Sequence, residues 1–162
     1  MPFWKKKKPK KEKQPLPLRA WIILALGCGV IWFYTNSLFG VDPEVKQAYQ
    51  ALKQEMKRAE LGQQLFVISG RRWAFDNWLL STFGGASSQS QHLKGKAIDI
   101  IVLDINHDGQ CNDADVDLVY QILDKKIIRD RGGIGTYKSE KGLLNRQMIH
   151  FDLRGSKARW HR

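Results

Sequence analysis

The chain has 162 residues, with 27 Lys and Arg against 16 Asp and Glu, a net charge of +11 and 43% apolar residues. That length allows one compact domain plus an appendage, and two cysteines as far apart as Cys28 and Cys111 argue against a cysteine-based structural zinc site. The charge is uneven: residues 1–19 hold seven lysines and Arg19 against Glu12, a net +7, which leaves +4 for everything after them.

A basic run such as Lys5 to Lys8 with Lys10 and Lys11 suits nucleic acid or a nuclear signal, but its neighbour points elsewhere. From Ala20 to Val41 no residue is charged, and Trp21 to Tyr34 is nearly all apolar. About 20 such residues span a bilayer, and Trp21 at one end with Trp32 and Tyr34 near the other fit interfacial aromatic belts. The predicted organisation is therefore a basic cytoplasmic tail (1–19), a transmembrane anchor (20–41) and a domain outside the cytoplasm (42–162), since lysines before the span hold the N-terminus inside. A cleaved signal peptide is the alternative. It needs a shorter apolar run and a small-x-small site, and no such site stands between Tyr34 and Asp42. Cys28 after Leu26-Gly27 looks like a lipoprotein cleavage site, but apolar residues follow it directly. With Cys28 in the membrane and Cys111 in the outer domain, no intrachain disulfide is expected.

Asp42-Pro43-Glu44 starts a helix, with Asp as N-cap and Pro at the first helical position. Val45, Ala48, Tyr49, Leu52, Met56 and Ala59 form one apolar face up to Gly62, the expected stop, while Lys46, Lys53 and Lys57 form a solvated face. Leu65 to Ile68 reads as a strand ending at Ser69-Gly70, followed by Arg71 and Arg72, which by themselves read as surface arginines. Trp73 to Phe83 reads as a helix whose Trp78, Leu79 and Phe83 are expected in the core. Gly84 to Ser88 is a flexible lead into the next segment.

That segment, Ser90-Gln-His92-Leu-Lys-Gly95-Lys-Ala97-Ile-Asp99, runs into an apolar strand from Ala97 to Leu103. A carboxylate inside a core strand is costly unless paired or bound to metal, and a turn at Gly95 folds His92 back towards Asp99. Taken as a pair, His92 and Asp99 read equally as a loop histidine and a salt-bridged aspartate. A second strand, Met148 to Leu153, adds His150 and Asp152 on one face. His92, Asp99 and His150 then make a two-histidine, one-carboxylate set, and three protein ligands plus water is the arrangement of a catalytic zinc.

Between these strands, Asp104, Asn106, Asp108 and Asp115 place oxygen ligands at positions 1, 3, 5 and 12 of a loop. Gly109 holds position 6, where the chain must turn, and Gln110 offers its backbone carbonyl. This is an EF-hand calcium pattern in an Asp-ending form and looks like the loop of dockerin repeats. Only one repeat is present, so a structural brace is expected rather than a partner site. Val116, Val119, Tyr120 and Leu123 share a face of the helix that follows. Cys111 is expected to be a small apolar filler, His107 to point outward, and His161 to be a solvated end.

The motif Ser90-x-His92-x-x-Gly95-x-Ala97-x-Asp99 with His150-Phe-Asp152 resembles the zinc D-Ala-D-Ala carboxypeptidases of the M15 peptidase family, which are related in fold to the vancomycin-resistance dipeptidases and the hedgehog signalling domain. The resemblance extends to Val67-Ile-Ser69-Gly70-Arg-Arg72, to Gly132-Gly-Ile-Gly135-Thr-Tyr137 and to Asp152-Leu-Arg154-Gly-Ser-Lys-Ala-Arg159-Trp160, most of the chain from about Leu65. It implies zinc on His92, Asp99 and His150, substrate contact at Ser90, and Arg72 holding the carboxylate end of the peptide, a task suited to a bidentate guanidinium. Arg71 stands where the family usually has tyrosine. The expected class is α+β: a small antiparallel sheet flanked by helices and carrying the zinc site, after one transmembrane helix.

The resemblance further implies a cell-wall (peptidoglycan) peptide ending in D-Ala-D-Ala as substrate. The domain is expected to act as a monomer with the membrane as its other partner and no nucleic acid. A carboxylate should serve as general base. The dipeptidase branch has a glutamate three residues before the second histidine, where this chain has Gln147. Asp152 is the base or orients His150, and Glu140 is a weaker choice. A non-catalytic module with a hedgehog-like zinc site, binding wall peptides or a protein partner, is the alternative of a different class, and Gln147 favours it.

Overall fold

The computed structural model describes residues 17–35, 38–83, 89–138 and 147–162; Gly84 to Ser88 and Glu140 lie outside them, as does most of the basic tail. Helix α1 (Leu18–Thr35) leaves Trp21, Ile22, Ile23, Leu24, Leu26 and Val30 exposed, and consecutive positions such as 21 to 24 cover every side of a helix. Its 18 residues extend about 27 Å at ~1.5 Å each, against a hydrocarbon core of ~30 Å. Among the described residues no helix is long and apolar enough to cross a membrane.

Helix α2 (Pro43–Arg58) begins where its sequence dictates: the Asp42 carboxylate accepts the Glu44 N–H at 2.9 Å and Pro43 opens the first turn. Its stop comes before Gly62. The turn ends at Ala59, and Glu60 takes the left-handed conformation (φ 55°). Gly62 instead lets the chain pass close to the segment after Leu103, its N–H donating to the Ile105 carbonyl at 2.7 Å.

The remaining elements are β1 (Leu65–Ser69), α3 (Ala74–Phe83), a 3-10 turn (Gln91–Lys94), β2 (Ala97–Val102), α4 (Asp113–Ile122) continued by a π turn (Leu123–Ile127), β3 (Gly133–Tyr137), β4 (Met148–Asp152) and β5 (Ala158–His161). The five strands form one sheet in the order β1-β2-β4-β3-β5. The three inner pairings are antiparallel, but β5 joins β3 in parallel. The sheet is mixed, not the antiparallel sheet expected, and the difference lies wholly in this last strand. His161 accordingly belongs to β5, with its Nδ1 2.7 Å from the Thr136 hydroxyl. Arg159 ties β5 down through its Nε to Asp124 (2.7 Å) and its Nη1 to the Gly132 carbonyl (2.7 Å).

Side chains alternate across a strand, so each strand divides the molecule in two. Ile98, Ile100, Ile134, Ile149 and Phe151 point to one face, where they are fully buried with Leu52 and Met56 of α2 and Val116, Val119 and Leu123 of α4 and its π turn. At about 1.5–3 kcal/mol per large apolar side chain, this layer holds the domain together. The opposite face carries Asp99, His150 and Asp152. Helix α3 departs from expectation: Trp78 is 57% and Leu79 45% exposed, so neither is core, and the side chain of Phe83 lies outside the described set. Cys111 is also exposed and fills no core space. A ten-residue aromatic segment reads as buried by composition alone, whereas α2 and α4 already cover the apolar sheet face.

Candidate metal centre

The centre is built on one row across the sheet. Asp99 of β2 is directly opposite His150 of β4, so the period of two that buries Ile98 and Ile100 aims Asp99 at the other face, beside His150. His92 arrives from the 3-10 turn. The Ser90 hydroxyl caps that turn by accepting the His92 N–H (3.3 Å), and Gly95 closes it at φ 70°, a left-handed position that suits glycine. The Gly70 carbonyl lies 2.6 Å from His92 Nδ1 and accepts its proton, which leaves Nε2 as the nitrogen that faces inward.

Three inward atoms converge. His92 Nε2 is 3.2 Å from Asp99 Oδ2 and 3.3 Å from His150 Nδ1, and His150 Nδ1 is 2.7 Å from Asp99 Oδ1. All three residues are buried, with their ligand atoms within 4.8 Å of one another, and this is the one such group among the described residues. Ligands ~2.0–2.1 Å from a tetrahedral zinc sit about 3.3 Å apart, so two imidazoles and a carboxylate at these separations fit zinc in chemistry and in spacing. The outer nitrogen of each imidazole has an oxygen partner, Gly70 for His92 and Asp152 for His150 (3.1 Å), the support that metal-binding histidines usually have.

Charge at the centre is tightly coupled. Burial alone would raise the Asp99 pKa, but the His92 charge and hydrogen bonds from both histidines outweigh it and hold the carboxyl well below its usual range. Burial alone would lower that of His150, yet its bonds to Asp152 and Asp99 carry it up to about 9. At neutral pH the metal-free His150 is therefore an imidazolium donating from both nitrogens, and a metal on Nδ1 takes the place of a proton.

The other expected site residues are placed as follows. Arg72 lies against the cluster: Nη2 donates to Asp99 Oδ2 at 2.7 Å and Nε to the Ser69 hydroxyl at 2.9 Å, while Nη1 has no partner among the described residues. Arg71 is exposed. Ser90 is a cap of the His92 turn. Asp152 is fully buried and saturated with donors: the Gly133 N–H (3.1 Å), the Arg154 N–H (3.1 Å), Arg154 Nη2 (2.5 Å) and His150. Burial would raise its pKa, but Arg154 and His150 outweigh that and hold it far below the usual range. Asp152 so placed orients His150 and has no open lone pair directed at a reacting water. Arg154 and Gly133 were not singled out from sequence; an arginine two residues after a strand aspartate was the available signal.

In the acidic loop, Asp104 accepts the Asp108 and Gly109 N–H groups (3.2 and 3.0 Å), Asn106 accepts the Asp108 N–H (3.0 Å), and Asp108 accepts the Gln110 N–H (2.8 Å). Gly109 takes φ 81° at the turn, and His107 is exposed. Asp115 is fully buried, with one oxygen on the Ile105 and Asn106 N–H groups and the other on that of Asn112. The carboxylates of Asp104, Asp108 and Asp115 thus serve the loop's own backbone, whereas Asp113 Oδ1 is buried with no hydrogen-bond partner among the described residues.

Residues 33–139, about two thirds of the chain, match the peptidase M15 family. The chain belongs to the peptidase M15 family. M15 peptidases are zinc-dependent hydrolases, so the His92–Asp99–His150 cluster stands in a metallopeptidase domain of the cell-wall peptidase kind. The matched span includes Arg72, His92 and Asp99 and ends before His150 and Asp152, which the fold brings to them through β4. No curated protein and no solved structure matches the chain significantly.

Proposed function

We propose that this chain is a membrane-tethered zinc carboxypeptidase that trims cell-wall peptides ending in D-Ala-D-Ala. The observation that carries the reading is the buried convergence of His92 Nε2, Asp99 and His150 Nδ1 with the Arg72 guanidinium beside them. A zinc ion held by these three side chains supplies Lewis-acid activation of water and of the scissile carbonyl. Arg72 does two things: Nη2 fixes Asp99, and Nη1 is left to meet the terminal carboxylate of a peptide, which restricts the cut to the chain end. Asp152, locked by Arg154, fixes the orientation and basicity of His150. The uncharged stretch from Ala20 to Val41 behind a lysine-rich tail supports tethering, with the domain facing the wall.

The loop at 104–115 supports a structural calcium through its ligand spacing and the turn at Gly109. A second functional reading is a binding module without catalysis. It is favoured by the committed hydrogen bonds of Asp152 together with Gln147 in the position of the dipeptidase glutamate.

The test is the zinc-loaded protein incubated with a muropeptide ending in D-Ala-D-Ala, products followed by mass, with His150→Ala alongside. Loss of one alanine, absent in the variant, is the expected result. Loss of a larger fragment moves the cut, and no cleavage at full zinc occupancy overturns the enzyme reading in favour of the module.

A further inference from the structure

The row that holds the metal centre continues past it. Asp99 is opposite His150, His150 is opposite Gly135 of β3, and Gly135 is opposite Trp160 of β5. Any Cβ at position 135 would overlap the Trp160 indole. The missing side chain is what lets the indole lean over β3 and reach the His150 ring, with centroids 5.3 Å apart at 45°.

Hydrogen bonds alone leave His150 with one loose degree of freedom. Its two in-plane bonds, Nδ1 to Asp99 and Nε2 to Asp152, and the Cβ–Cγ bond hold the ring by its edge, so what is left is a small rocking of the ring plane within the slack of the two hydrogen bonds. The lone pair that would face a metal lies in the ring plane and moves with that rocking. Groups packed against the ring restrict it further. His92 meets the ring edge-on, at 5.1 Å between centroids, and Trp160 is its other aromatic neighbour among the described residues. Trp160 is itself held twice, by its Nε1 donating to the Tyr137 hydroxyl at 3.2 Å and by the Arg154 guanidinium 5.4 Å from its ring. Arg154 is the same side chain that locks Asp152, so one arginine steadies both the edge and the face of the histidine.

We propose that Trp160, admitted by Gly135, is the positioning residue that keeps the His150 imidazole in its metal-binding plane. The proposal rests on His150 being a metal ligand. It assigns a functional role to the last strand, which contributes no ligand of its own.

The experiment measures zinc affinity by chelator competition, and the visible absorption of the cobalt-loaded protein, for the full chain and four variants. Trp160→Ala and Gly135→Ala, which remove or displace the indole, are expected to weaken zinc binding by about tenfold or more, the scale of lost outer-sphere support, and to alter the cobalt bands. Trp160→Phe keeps a flat face without the bond to Tyr137 and is expected to stay within about threefold of the parent, well short of that loss. Folded Trp160→Ala with parental zinc affinity and cobalt spectrum overturns the proposal. If Trp160→Ala does not fold, Gly135→Ala decides on the same terms. Trp160→Phe falling as far as Trp160→Ala also overturns it, because the indole N–H and not the ring face would then be what matters. His150→Ala separates this from the ligand assignment itself: unchanged zinc affinity in that variant refutes His150 as a ligand, whatever Trp160 does.

Discussion

Two stretches of this chain carry metal-binding patterns, and the fold treats them differently. His92, Asp99 and His150 are scattered over nearly sixty positions and meet only because a 3-10 turn and two strands bring them together; once there, their polar atoms face one another. The loop at 104–115 is contiguous, and the oxygens of Asp104, Asp108 and Asp115 turn to neighbouring backbone N–H groups. A site assembled by long-range register places like ligands where they need something between them, whereas a local acidic loop can satisfy itself. The first arrangement is therefore tied to a metal more closely than the second.

The sharpest way to break that comparison is at His150. Its replacement by alanine should abolish stoichiometric zinc binding and cut peptide cleavage by on the order of a thousandfold or more, the scale seen when one member of a catalytic unit is removed. Retained zinc in the folded variant would mean that the cluster is an ion-pair network of Arg72, Asp99 and the histidines and nothing more.

Much of this site was legible because period-two alternation is local. The apolar run Ala97 to Leu103 and the segment Met148 to Leu153 gave both strands, the lone carboxylate in the first marked Asp99, and alternation put His150 and Asp152 on one face of the second. The N-cap at Asp42 was legible for the same reason, as two adjacent residues carry the signal. What was not legible is non-local. Parallel pairing of β5 with β3 leaves no mark in Ala158–His161, which mixes charged and aromatic residues without alternation, and so the place of Trp160 beside His150 was hidden. Arg72 has its partner 27 residues away on Asp99, and the bonds from Arg154 that hold Asp152 left no mark by which the sequence could separate its two readings, base or orienter of His150. Trp78 and Leu79 were misread because composition records how apolar a helix is, not whether the sheet has a face left to cover.

The loop offers the next largest effect. Asp115 is fully buried and accepts three backbone N–H groups, so Asp115→Ala should cost about 3 kcal/mol, given ~1–3 kcal/mol for each buried donor left unpaired and some relief from water. Chemical unfolding of the calcium-free protein measures it. A cost under ~1 kcal/mol, the net worth of a single ordinary hydrogen bond, would show that the loop is not self-braced.

Asp152→Asn probes the metal centre more gently. The amide keeps the shape but loses the charge that supports His150 and pairs with Arg154, and zinc affinity should fall by about 10- to 100-fold. Proton competition sharpens the reading. Because the metal-free His150 holds its Nδ1 proton up to about 9, zinc must displace that proton, so affinity in the parent should strengthen steadily from pH 6 to 8. In Asp152→Asn the proton is held less firmly, and the pH dependence should flatten over the same range. An unchanged slope would place the competing proton elsewhere.

Calcium is the smallest expected effect, for a reason that follows from the loop's own bonds. Asp104, Asn106 and Asp108 hold the turn at Gly109 through hydrogen bonds of their own, so an ion gains less from ordering this turn than it would in a loop without them. It must also compete with the backbone N–H groups for the same carboxylates, most of all at Asp115. At a calcium concentration about ten times the dissociation constant, binding to the folded state alone adds ~1.4 kcal/mol, a rise of about 5 °C in Tm for a domain of this size. Asp104→Asn should remove that rise while keeping most of the N–H bonds, since its amide oxygen still accepts. A calcium-dependent rise in the parent that vanishes in Asp104→Asn would make the loop a true ion site. The same Tm with and without calcium would leave it a brace built from backbone bonds, with the zinc-type cluster as the domain's one metal-dependent element.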